Sequence, residues 1–175
     1  MLMIHTESET FPAVDPGPQA LMTTIEPSDN LRRLNFALTR FSGYTGVVTT
    51  TGSRFTAVEG QLRPLLEVLK RRGLMFVDGG GSKQSLAPKV ADEIGVPDAQ
   101  GNFILDENPA QSAIDETLTK LELLARQNSA AVATASAYPS TIERLAAWSK
   151  TLDSKNLVLA PVSAVADRQA KAAPK

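Results

Sequence analysis

The sequence predicts an α/β fold with a mostly parallel sheet. Short apolar or β-branched runs alternate with longer runs whose apolar residues recur at helical spacing. Glycine and proline punctuate the junctions. The chain has 175 residues, 42% hydrophobic and 21% charged, enough for one sizeable core.

Leu2 to His5 reads as a strand, and the proline- and glycine-bearing stretch from Thr6 to Ile25 as an extended loop. Pro27-Ser28 opens a helix with Ser28 as its N-cap, and Leu31, Leu34, Leu38 and Phe41 form its apolar face until Gly43. Tyr44 to Thr49 is a β-branched strand. Thr56-x-x-Glu59 is a capping-box pattern ahead of Leu62, Leu65, Leu66 and Leu69, with a kink or short first turn expected at Pro64. Basic residues 70–72 suit the end of that helix, and Gly73 stops it.

Leu74 to Val77 is a short buried strand ending in Asp78, followed by the loop Gly79-Gly80-Gly81-Ser82 and a helix from about Gln84 to Ile94. Phe103 to Leu105 reads as a strand. A long helix starts at Pro109, with Ile114, Leu118, Leu121 and Leu124 inward. Ala130 to Ala135 is a small-residue strand, Ser140 to Leu152 a helix, and Leu157 to Val162 a last strand. One domain over residues 1–163 and a disordered tail over 164–175 follow.

Two counts exclude chemistry. There is no cysteine and one histidine, His5. Disulfide scaffolds, thiolate metal sites, cysteine nucleophiles and zinc sites built on several histidines of this chain are ruled out. The formal net charge is -1, and no basic stripe marks a nucleic-acid surface. No run approaches the roughly 20 apolar residues of a membrane span, and the start is no signal peptide. With Met1 as the true start, a cytoplasmic protein is expected.

Parallel α/β folds gather function at the C-terminal ends of their strands. Polar residues stand there at His5-Thr6-Glu7, Thr49-Thr50-Thr51, Asp78 and Thr134 to Ser136. His5 is a metal ligand or a surface histidine, and Asp78 orients a ligand, binds a metal or caps a turn. Gly80, Gly81 and Ser82 resemble an anion-binding loop, but neither G-x-x-x-x-G-K-[ST] nor G-x-G-x-x-G is matched. Three threonines without a neighbouring base make no nucleophile.

Several segments, in order, resemble the divergent polysaccharide deacetylase family of bacteria. They are Asp15-Pro16-Gly17-Pro18, Arg40-Phe41-Ser42-Gly43-Tyr44-Thr45-Gly46-Val47, Gly52-Ser53-Arg54-Phe55-Thr56, Tyr138-Pro139-Ser140-Thr141-Ile142 and Leu159-Ala160-Pro161-Val162-Ser163. The resemblance implies an incomplete, distorted (β/α) barrel and metal-dependent removal of acetyl groups from polysaccharide, with a divalent metal, zinc in relatives. It implies His5, Glu9 and Asp78 as metal ligands, a glycan partner, and a periplasmic or envelope setting.

The chain departs from the family pattern. Thr50 and Ser136 stand on the cleft rim where enzyme-like members carry histidine, and the paired-aspartate strand of relatives lies upstream of Met1. The expectation is therefore an N-terminally short member with a degenerate metal site and weak or no activity. The alternatives are a non-catalytic glycan- or protein-binding module and an anion binder. Open sheet edges predict self-association.

Overall fold

The computed structural model describes residues 1–49, 53–166 and 168–169. They form two compact units, Met1–Gln100 and Gly101–Lys175.

The first unit is built on four parallel strands: β1 (Leu2–Ile4), β2 (Gly46–Thr49), β3 (Met75–Asp78) and β4 (Asp98–Gln100). Their spatial order equals their chain order, β1-β2-β3-β4. Each crossover thus moves one strand along, which is barrel winding rather than doubly wound topology. Among the described residues the sheet does not close on itself.

Helices α1 (Pro27–Leu38), α2 (Ser53–Thr56), α3 (Glu59–Arg71) and α4 (Ala87–Ile94) form the connections. The expected apolar faces are buried at Leu34 and Leu38 on α1 and at Leu62, Leu65, Leu66 and Leu69 on α3, whereas Phe41 lies beyond the end of α1 and is exposed. They pack with Leu2, Ile4, Val47 and Phe76 into one core.

The helix starts differ from expectation. Glu26, not Ser28, is the N-cap of α1, because Pro27 takes the first turn, where a missing N–H costs nothing. The Thr56 and Glu59 capping box does not form. Val58 caps α3 without a side-chain bond, and Glu59 pairs with Arg63 at 2.7 Å. Helix α3 runs through Pro64. Helix α4 starts at Ala87, with Pro88 in its first turn, and Gly95 closes it at φ 77°.

The second unit holds a parallel pair, β5 (Phe103–Ile104) and β6 (Ala133–Thr134), with helices α5 (Gln111–Asn128) and α6 (Pro139–Ser149). Leu105, Ile114, Leu118 and Leu121 form its core, with Phe103, Leu145 and Trp148 against it. The predicted strand Leu157 to Val162 is not one. Among the described residues, 157–161 join no ladder, and a 3-10 turn follows at Val162–Ala164. A strand exists only by pairing, so an apolar run without a neighbour stays coil.

Candidate functional site

Ile4, Thr49, Asp78 and Gln100 form the last paired row of β1 to β4, so their side chains mark the C-terminal edge of the first sheet. The chain beyond β1 is held there by the loop that follows it. Leu21 donates to the His5 carbonyl, and Glu7 donates to the Leu21 carbonyl, both at 2.9 Å.

That loop is pinned from the helix layer. Asn30 on α1 accepts from Met22 N–H at 3.0 Å and donates to the Met22 carbonyl at 2.7 Å. Its amide also donates to Gln61 on α3 at 2.8 Å, and Gln61 donates to the Ile25 carbonyl at 2.8 Å. Asn30 and Gln61 are both buried. A satisfied buried amide pair of this kind fixes one loop geometry, since every misplacement strands a polar group.

The loop so placed delivers Thr23 to Glu7. Glu7 is fully buried, and its Oε2 accepts from the Thr23 N–H at 2.6 Å and the Thr23 hydroxyl at 2.7 Å. Its other oxygen, Oε1, has no hydrogen bond of good geometry but lies 3.2 Å from the Arg54 guanidinium. Arg54 comes from α2, which is tied to the same place by the Phe55 N–H donating to the Glu7 carbonyl at 3.1 Å. The Arg54 side chain is 49% exposed and lines a surface cleft of about 410 Å³ with Glu9, Ala57, Val58 and Gln84.

Asp78 is buried at the edge of β3. Its Oδ1 accepts weakly from the Thr49 hydroxyl at 3.5 Å and from Gly80 N–H at 3.3 Å, and its Oδ2 has no partner among the described residues. The second unit repeats the motif. Asp106, just past β5, accepts at Oδ2 from Ser136 N–H at 2.8 Å and from the buried Thr141 hydroxyl at 2.9 Å. Its Oδ1 is buried without a partner among the described residues.

The residues singled out in the sequence fall as follows. Asp78 is buried at the strand edge, whereas His5 and Glu9 are exposed. Among the described residues no three His, Cys, Asp or Glu side chains gather as metal ligands. A structural or catalytic zinc centre takes three or four protein ligands, so this donor set does not fit one. Thr50 lies outside the described residues. Ser136 is exposed and contributes only its backbone N–H to Asp106. The Gly80, Gly81 and Ser82 segment is turn geometry. The Gly80 N–H is directed at the Asp78 carboxylate, Ser82 Oγ accepts from Gln84 N–H at 3.2 Å, and the helix begins only at Ala87. A carboxylate already occupying the loop amide opposes a second anion.

The sequence places Glu7 at a strand end and Arg54 in a family-like segment, but it does not disclose their pairing, the role of Thr23 or that of Asp106. One signal was available. Asn30 and Gln61 sit four residues before Leu34 and Leu65, on faces otherwise apolar, and a polar residue there needs a buried partner.

The comparisons agree with this architecture. The chain is similar to an uncharacterized protein of Agrobacterium tumefaciens C58, known from a crystal structure, with 32% identity and a TM-score of 0.88. The match covers 93% of this chain and 66% of that one, so this chain spans just under two thirds of that protein's length. No curated protein matches the sequence. The family model for divergent polysaccharide deacetylases matches residues 1–166, nearly the whole chain, and the chain belongs to that family.

Proposed function

We propose that this chain is a glycan-binding member of the divergent polysaccharide deacetylase family, with weak or no metal-dependent deacetylation of its own. The observation that carries the reading is the cleft at Arg54. A half-exposed guanidinium, braced from behind by the buried Glu7, stands beside Glu9 and Gln84. Arginine, carboxylate and amide together supply the kinds of donor and acceptor that sugar hydroxyl and acetamido groups require, and Ala57 with Val58 adds apolar lining.

The family is normally metal-dependent, and hydrolysis of an acetyl group would call for a divalent ion to polarise the carbonyl and activate water. His5, Glu9 and Asp78, the ligands that the resemblance implies, are not gathered into a three-ligand cluster among the described residues. The reading therefore assigns binding to the cleft and routes no step through a metal. A bacterial envelope setting, where such glycans lie, goes with it.

The test uses the purified chain and N-acetylglucosamine oligomers. Calorimetry is expected to show binding that EDTA leaves unchanged and Arg54→Ala weakens, with acetate release at background. Zinc-dependent acetate release at enzymatic rates overturns the non-catalytic reading. Binding that Arg54→Ala leaves intact overturns the cleft assignment.

A further inference from the structure

A half-exposed arginine in a cleft is ordinarily an anion site, because its planar fork matches a carboxylate or a phosphate. At Arg54 that role is already taken from behind. Glu7 is buried, and its Oε1 lies 3.2 Å from Arg54 Nη1. Glu7 is held in place, since its Oε2 accepts from the Thr23 N–H and hydroxyl and its carbonyl accepts from the Phe55 N–H. A second carboxylate, the exposed Glu9, stands on the wall of the same cleft. Among the described residues no cation besides Arg54 lines it, and the exposed Lys83, next to Gln84 in the chain, is not part of the lining.

We propose that Glu7 is a specificity-determining residue of this cleft: it cancels the Arg54 charge, so that the cleft takes uncharged acetamido glycans and rejects acidic ones. The inference rests on the glycan reading above and adds to it the class of glycan. The cleft and its support set one guanidinium against two carboxylates. An incoming uronate would compete with Glu7 for the guanidinium and meet Glu9 as a like charge. An acetamido carbonyl needs only a hydrogen-bond donor and no net charge. One guanidinium nitrogen is directed at Glu7, which leaves other N–H groups of Arg54 to donate into the cleft. Salt screens a buried carboxylate much less than an exposed one, so the cancellation by Glu7 persists at ionic strengths that weaken the repulsion from Glu9.

Calorimetry of the whole chain with two oligomers of equal length tests it. One is the uncharged N-acetylglucosamine oligomer, and the other is a hyaluronan oligomer, in which N-acetylglucosamine alternates with a uronate. The parent is expected to favour the uncharged oligomer by about tenfold or more. Glu7→Gln keeps an oxygen for Thr23 but frees the Arg54 charge, so the affinity ratio should shift about tenfold or more toward the acidic oligomer. Adding Arg54→Ala should abolish that gain. A loss of stability alone lowers both affinities together and leaves their ratio unchanged. Glu9 is exposed, so Glu9→Gln should melt like the parent, and with Glu7 in place it should still favour the uncharged oligomer. A parent that binds both oligomers equally overturns the proposal, as does a folded Glu7→Gln with the parent's ratio. So does a Glu9→Gln chain that favours the acidic oligomer, since Glu7 would then not cancel Arg54. That last measurement decides the matter even where Glu7→Gln fails to fold. A parent that binds neither oligomer overturns the glycan reading itself, and this inference with it.

Discussion

The Arg54 guanidinium stands 3.2 Å from Glu7 Oε1, with one partner fully buried and the other half in solvent. Glu7 gives its other oxygen to Thr23. Removing Arg54 strands a buried carboxylate oxygen that has no other partner among the described residues. Breaking a fully buried pair costs about 3–5 kcal/mol, and the half-exposed guanidinium reduces that through solvent screening. Arg54→Ala is therefore expected to destabilise the chain by about 1–3 kcal/mol in urea denaturation. Glu7→Ala should cost more, because it also frees the Thr23 donors. Equal and negligible losses for both would show that the pair carries no stability.

Gly46 opens β2 directly against β3, where it pairs with Met75. A Cβ placed on it would lie 2.3 Å from Met75 Cγ and 2.6 Å from the Met75 carbonyl oxygen. The side-chain clash is relieved by a rotamer change, but the carbonyl belongs to the neighbouring strand and cannot yield without spreading the sheet. Gly46→Ala is expected to cost about 1–3 kcal/mol or more, although alanine suits a strand no worse than glycine. A thermal melt unchanged from the parent would contradict the strand spacing at this position.

Asp106 fixes the start of α6 by accepting from Ser136 N–H and the Thr141 hydroxyl on one oxygen. Bonds to a charged acceptor are worth about 1.5–3 kcal/mol. Asp106→Ala is expected to destabilise by about that amount and to speed exchange of the Ser136 amide. Thr141→Val should cost about 1 kcal/mol, since only the hydroxyl is lost. Ser136→Ala should stay within about 0.5 kcal/mol of the parent, because its side chain takes no part. A large loss from Ser136→Ala would point to a hydroxyl role instead.

These particulars show where sequence patterns carried information. Leu34 and Leu38, Leu62 to Leu69, and Ile114 to Leu121 are buried as their spacing predicts, because helix periodicity is local and the core rewards it. Strand β4 was invisible. Asp98–Gln100 has no apolar alternation and becomes a strand only by pairing with Phe76–Asp78. The opposite error occurred at Leu157–Val162, where a strand pattern found no neighbour. Asp78 was legible as a strand-end carboxylate. Glu7 was legible as a strand-end residue but its burial was not, because its partners lie 16 residues away at Thr23 and further off at Arg54, and only tertiary structure brings them in.

Glu122 offers an intrinsic reporter for acid sensitivity in the second unit. Its Oε1 accepts from the indole N–H of Trp148, the single tryptophan, at 2.7 Å and from the Lys155 ammonium at 2.6 Å. Burial pushes the Glu122 carboxyl upward, but the bonds from Lys155 and Trp148, helped by the Lys155 and Arg126 charges, together hold it below its ordinary 4.5. A carboxyl lowered in the folded state binds its proton more readily when unfolded. Its stabilisation is fully present above the unfolded value and is lost as pH falls through the lower folded one. The acid limb of the stability curve should therefore contain a step starting near pH 4.5 and continuing below it, accompanied by a change in Trp148 emission as the charged acceptor is neutralised. In Glu122→Gln the amide oxygen still accepts from the indole, so the fold should persist while the emission step disappears and the acid limb flattens. An emission step that survives in Glu122→Gln would assign it to a different carboxylate.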